Sequence, residues 1–222
     1  MKNILIIAGP SAVGKTTAAH KLLSQESRFE FVRSVTTREC RGDSFDGEYI
    51  YLDSKEFDRQ IACGGVLEYT EYAGALYGTP RSEIERIMRE GRIPLLILDL
   101  TGVRTLSQNA LDIEPCTVYI YDDINVMEKR LYKRYLGDSP TVEGLKKFTV
   151  RKEQNIEDYL EMEKNSMHFY AFVENSGEIS QTVDLISRSY DSFASGEPRN
   201  AEQISLKAKE LCDSAKAKFR DC

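Results

Sequence analysis

The stretch GPSAVGKT, Gly9 to Thr16, has the residue types and spacing of a loop that holds phosphates. Small residues let a backbone curl until several N–H groups aim at one anion. A helix starting at such a loop adds the positive end of its dipole. Lys15 would carry a mobile positive charge to the β- and γ-phosphates of a nucleoside triphosphate, and the Thr16 hydroxyl suits a bridging Mg²⁺. Gly9, Ser11, Ala12, Val13, Gly14, Lys15, Thr16 and Thr17 are therefore candidate contacts to ATP, with Thr16 as the candidate metal ligand. The competing reading is a Gly-rich turn without a ligand, and the length of the pattern argues against it.

A second group follows in SVTTRECRGD, Ser34 to Asp43. On an extended or turning segment Arg38 and Arg41 can converge on one phosphate, with hydroxyl donors from Ser34 and from Thr36 or Thr37. From these residues alone a solvated basic turn is an equal reading. The phosphate loop does not by itself separate kinase from ATPase or GTPase. No N-K-x-D run of the kind that reads guanine in GTPases is present, and the chain is short for a motor. A small protein with this loop and a second anion site reads as a kinase.

These residues need elements to position them. The apolar run over 3–9, bounded by Gly and Pro, predicts a strand buried on both faces, with a helix over 15–25. A single strand is expected over 29–35, then a helix from Asp53 or Ser54 to 62 and short strands with a turn over 65–79. Thr79 as cap, Pro80 at the first position and Gly91 past the end predict a helix between them. Buried strands are expected over 93–100 and 116–123, a helix from 124 capped by Asp123, and a polar loop over 137–144. A long charged helix over 145–165, a last strand over 169–175 and a helix over 179–193 complete the pattern. Strands alternating with helices imply α/β architecture with a parallel sheet. Beyond SGEPRN, Ile204, Ala208, Leu211 and Ala215 recur at helical spacing, so 194–222 reads as an amphipathic extension that packs on the core or forms a dimer.

The chain has 222 residues and a net charge of −6, which gives no global case for binding nucleic acid or an anionic membrane. Its five cysteines are odd in number and none forms a C-x-x-C pair, so buried or incidental thiols are expected rather than a disulfide framework or zinc site. No apolar run reaches membrane-span length, and the first residues are too short for a secretory signal. A cytoplasmic protein is expected.

Taken together and in order, GPSAVGKT, SVTTRECRGD, DGEYIY, LEYTEYAGALYGT and LILDL resemble the guanylate kinase family over about residues 3–190. The resemblance implies a P-loop NTPase-type parallel sheet core within a domain over 1–193, an inserted nucleoside-monophosphate lobe at about 34–90, and a mobile lid at about 130–155. It implies transfer of the γ-phosphoryl group of ATP to GMP or dGMP, with Mg²⁺; the sequence leaves monomer and homodimer both open. By position, Ser34, Arg38, Arg41, Tyr49 and Tyr77 match residues that hold the GMP phosphate, and Glu68 and Thr79 match the base readers. Arg130, Arg134 and Arg151 match arginines that reach the donor phosphates and flank the lid; with Lys15, Arg38 and Arg41 they form the implied catalytic set. Asn175 matches an Asn near the donor nucleotide, and Asp99 an acid beside the substrates and Mg²⁺. The chemistry agrees: guanine offers N1–H and a 2-amino group as parallel donors, which one carboxylate such as Glu68 can accept, whereas adenine would leave it unpaired.

The chain departs from the family pattern in four places. Ala12 stands where Gly is common, and one residue is missing between Arg41 and Tyr49, which can displace Asp43 and Tyr49 by one. TGV follows LILDL without the usual second acid, Thr101 being the candidate replacement, and the lid is several residues longer. Two rivals stay open: a kinase of the same fold acting on another phosphorylated acceptor such as a sugar phosphate, and a non-catalytic guanylate-kinase-like module that binds phosphopeptides.

Overall fold

The protein is seen in a computed structural model that describes residues 2–40, 46–72, 74–110 and 112–220. The apolar run near the N-terminus forms β1 (Lys2–Ala8), and every residue from Ile4 to Ala8 is fully buried. Successive side chains of a strand point to opposite faces, so β1 is covered on both. It pairs in parallel with β7 (Ile93–Leu98) and β8 (Ile113–Tyr121); β2 (Phe29–Phe31) and β9 (Ala171–Glu174) close a five-stranded sheet of order β2-β7-β1-β8-β9. The strands carry the main core, joined by side chains of helices α1 (Lys15–Gln25) and α8 (Ile179–Ala194).

A second, four-stranded sheet of order β4-β3-β6-β5 stands between β2 and β7 in the chain, with β3 (Ser34–Thr36), β4 (Tyr49–Tyr51), β5 (Val66–Tyr72) and β6 (Ala75–Pro80). Its hydrophobic centre is small: Val35, Phe57 and Val66 are buried, with Phe57 supplied by α2 (Ser54–Ala62). The single strand expected over 29–35 is two strands in two sheets. Val32 makes its last bond to Leu95 of the core, and Ser34 already pairs with Tyr49. A continuous apolar alternation carries no mark of that change of partner. At this crossing Arg33 donates from Nε and Nη2 to Glu83 at 2.8 and 2.9 Å, and these bonds hold the Glu83 carboxyl down at about 2. Glu83 lies in α3 (Arg81–Arg89), just where the chain returns to the core, so the ion pair ties the two crossings together.

Thr79 does not cap α3. Pro80 still pairs with Val66, Arg81 N–H donates to Gly65 O, and the Thr79 hydroxyl is directed elsewhere. Strand β7 ends at Leu98, and a helix absent from the sequence expectation, α4 (Leu100–Asn109), follows at once. Asp99 caps it by accepting from Gly102 N–H at 2.8 Å.

The region expected as a lid is a helical hairpin of α5 (Ile124–Tyr135) and α6 (Val142–Leu160). Asp123 caps α5 as expected. Thr141 caps α6, so the helix takes up part of the segment expected as a polar loop. The long charged helix stops at Leu160 and is followed by a single turn, α7 (Met162–Asn165). The C-terminal helix α9 (Ala201–Arg220) packs on its own chain: Ala208, Leu211 and Ala215 join the main core. Lys218 binds Glu128 of α5 at 2.8 Å, and Glu128 binds Lys152 of α6 at 2.6 Å, so α9 braces the base of the hairpin. No helix among the described residues is long and apolar enough to cross a membrane.

Candidate active site

The phosphate-type loop leaves β1 and enters α1 with its backbone already curled. Gly9 and Gly14 lie at φ 150° and 106°. A Cβ at Gly9 would stand 2.4 Å from Ile120 O, and one at Gly14 2.5 Å from Asn175 Nδ2. Ala12 holds a left-handed φ of 63°, a conformation that glycine takes without strain. The loop is held from below: Asn175 Nδ2 donates to Val13 O at 2.7 Å while its Oδ1 accepts from Thr182. Asn175 thus directs its amide at the loop itself. Val13 is fully buried and lines neither donor cavity, so of the predicted loop contacts it is the one that the structure keeps away from the site.

Lys15 Nζ donates to Gly9 O and Pro10 O at 2.6 and 2.9 Å. Burial pushes its ammonium down to about 8, against the opposing pull of Asp99 and Asp158. One cavity, of about 520 Å³, is lined by Ser11, Ala12, Gly14, Lys15, Thr16, Thr17, Arg130, Arg134 and Asn175. It gathers nearly all the sequence-predicted donor residues, with Gly9 in the wall of the adjoining cavity. Arg130 is held there by Asp122, 2.9 Å away, a buried acid at the end of β8. The adjoining cavity, of about 330 Å³, brings Lys15, Arg134 and Arg151 together with Asp99 and Asp158.

Asp158 and Asn155 are additions that the sequence reading missed. Burial raises the Asp158 carboxyl to about 7; the nearby charge of Asp99 adds to this and Lys15 opposes it. Both residues lie on the face of α6 that carries Arg151, at spacings of four and seven. That spacing was the available signal, once Arg151 was singled out.

The acceptor candidates lie around a third, smaller cavity of about 160 Å³, lined by Ser34, Glu68, Tyr77, Thr79 and Asp99 among others. Thr79 Oγ1 donates to Glu68 Oε1 at 2.5 Å. Burial raises the Glu68 carboxyl to about 6, with the Thr79 bond opposing. The second oxygen, Oε2, faces Gly102 of α4, where a Cβ would approach to 3.4 Å. Thr101 is exposed and does not line the cavity. Arg38 lies over the Tyr49 ring at 4.8 Å and donates to the Tyr51 hydroxyl at 3.0 Å; Tyr49 meets Tyr77 edge-on. The arginine is thus joined to the cavity wall through two aromatic rings. Arg41 and Asp43 lie outside the described residues. Asp99, Leu98 and Ile97 belong to both the acceptor cavity and the Lys15–Arg151 cavity, so the two share one wall at the end of β7.

The family model described as "Guanylate kinase" matches residues 1–184. The guanylate kinase of Latilactobacillus sakei subsp. sakei is 30% identical over 205 residues, covering 90% of this chain and 94% of that protein. The guanylate kinase of Sus scrofa is 32% identical over 156 residues, 69% of this chain and 76% of the relative. The solved guanylate kinase of Anaplasma phagocytophilum shares the fold, with a TM-score of 0.53 at 24% identity over 83% of this chain and 82% of that one.

Proposed function

The chain belongs to the guanylate kinase family, whose members are ATP-dependent nucleoside monophosphate kinases, and from that premise we propose how its residues do the work. The reaction is transfer of the γ-phosphoryl group of ATP to the phosphate of GMP or dGMP, giving ADP and GDP or dGDP. One observation carries the reading: the cavity that gathers Lys15, Arg134 and Arg151 opens on the same Asp99 wall as the cavity that holds Glu68. A donor phosphate in one and an acceptor nucleotide in the other would meet at that wall.

The acceptor is already an ionised phosphate oxygen, so the reaction needs no general base. Positioning and charge neutralisation carry it. Backbone N–H groups of the loop through Thr17 cradle the donor phosphates, and Lys15 leaves the carbonyls of Gly9 and Pro10 to follow the γ-phosphoryl group. Arg130, Arg134 and Arg151 face the transferring group from the hairpin. Glu68, held by Thr79, accepts the two guanine donors, and Ser34, Arg38, Arg41, Tyr49 and Tyr77 hold the acceptor phosphate. The residues present fit Mg²⁺: Thr16, whose hydroxyl would be the ligand, is exposed and lines the donor cavity beside Lys15, and Asp99 lines the adjoining one. Such an ion would neutralise charge on the β- and γ-phosphates. The core domain over 1–193, the acceptor lobe over about 34–90, the lid over about 130–155 and the extension over 194–222 are the working parts of this proposal.

An assay of ADP release with ATP and Mg²⁺, offering GMP, dGMP, AMP, CMP and UMP separately, tests it. Turnover confined to the guanine nucleotides is the expected result. Turnover with none of them, alongside tight ATP binding, would overturn the acceptor and leave the fold intact.

A further inference from the structure

Asn155 is buried, and its side-chain amide reads both backbone groups of a single residue of the phosphate loop. Oδ1 accepts from Ser11 N–H at 2.7 Å, and Nδ2 donates to Ser11 C=O at 2.9 Å. The pairing imitates a neighbouring β-strand, although it joins residues 144 apart. On α6, Asn155 lies one turn after Arg151 and one turn before Asp158, and all three face the cavity that holds Lys15. An amide presents a donor and an acceptor on two separate atoms at once, which this pairing uses. Its loss would leave both Ser11 groups without their partner.

We infer that Asn155 is a positioning residue that sets the register of the lid helix against the phosphate loop, fixing Arg151 and Asp158 at one height over Lys15. The inference rests on the phosphoryl-transfer reading above. Because Ser11 N–H is engaged by Asn155, the anion cradle draws on the N–H groups that follow Ser11 in the loop. The contribution of Asn155 is therefore to geometry during transfer, and only weakly to holding ATP.

Three proteins test this: wild type, Asn155→Ala and Asn155→Asp. Wild-type turnover of ATP with GMP checks the underlying reaction by itself. Hydrogen exchange at the Ser11 amide in the free protein checks the clamp without any reaction. For Asn155→Ala the exchange should speed up by about tenfold or more. Its kcat should fall by about 10- to 100-fold, the scale of a 1 Å misplacement, with KM for ATP moved less than about threefold. Asn155→Asp adds a readout that a purely structural role would not move. Ionised, the new carboxyl repels Ser11 C=O; protonated, it regains a donor. Burial and the facing Asp99 and Asp158 favour its protonated form, Lys15, Arg134 and Arg151 its charged form, and relative to wild type at each pH the variant's activity should recover as the pH falls. Unchanged Ser11 exchange, a loss confined to KM for ATP, a lowered Tm with kcat intact, or a flat relative pH profile would each overturn the inference.

Discussion

The phosphate loop and the acceptor lobe are built on opposite principles. The loop is anchored by side chains that arrive from far along the chain: Asn155 on Ser11, Asn175 on Val13, and Thr182 behind Asn175. Beneath it lies the fully buried run Ile4 to Ala8 of β1. The lobe is a four-stranded sheet around three buried apolar side chains, with its binding residues held mainly by one another. Thr79 steadies Glu68, and Tyr49 and Tyr51 steady Arg38. The loop is prearranged to receive charge, whereas the lobe is arranged largely within itself around its own small cluster. An enzyme that must bring two anions together needs one fixed reference and one part that travels.

The sharpest way to break this comparison is Lys15→Ala. Turnover should fall by at least about 10²- to 10³-fold, while circular dichroism and Tm stay near wild type. Turnover near wild type would remove Lys15 from the mechanism. Next is Glu68→Gln, which sets an amide donor against guanine donors. It should lower kcat/KM for GMP by about 10²-fold or more and leave ATP affinity in place.

Phe57→Ala follows. The residue is fully buried in the lobe cluster, and its loss is worth about 3–5 kcal/mol in a well-packed setting. Because the lobe is a separate cluster, KM for GMP should rise while ATP binding measured by calorimetry holds. Equal weakening of both ligands would show that the two regions are one cooperative unit.

The pH dependence gives the smallest and most graded test. Glu68 titrates at about 6 in the free protein and must be ionised to accept guanine, so kcat/KM for GMP should decline below about pH 6. Lys15 titrates at about 8 and must be protonated, so kcat/KM for ATP should decline above about pH 8. The Asp158 charge raises the Lys15 value, so Asp158→Asn should move that alkaline limb to lower pH. A limb that stays in place would show that another group sets it.

Legibility in the sequence followed the same divide. The loop is a contiguous string whose function depends on its own backbone, and Gly9 to Thr17 could be read directly. The acceptor residues could be read because they stand at fixed separations along the lobe, Glu68 and Thr79 eleven apart. Asn155 and Asp158 were missed although their spacing from Arg151 was on view, because the loop residue that Asn155 meets lies 144 positions away in sequence. The break at Val32–Arg33 was hidden because the alternation that makes one strand also makes two. Thr79 was read as a helix cap because a hydroxyl before Pro80 fits that role locally, while its partner Glu68 lies across the sheet.

The Arg33–Glu83 pair bears on how the lobe can travel. A flap hung from two independent cords can sway, twist and slide. Fastened where the cords meet the wall, and held again where Asn109 Nδ2 donates to Leu67 O, it would have fewer ways to sway. Were the lobe to close in the proposed transfer, Glu68 and Arg38 would return to much the same place each time, and reproducibility of alignment, rather than speed of motion, is what such a fastening would supply.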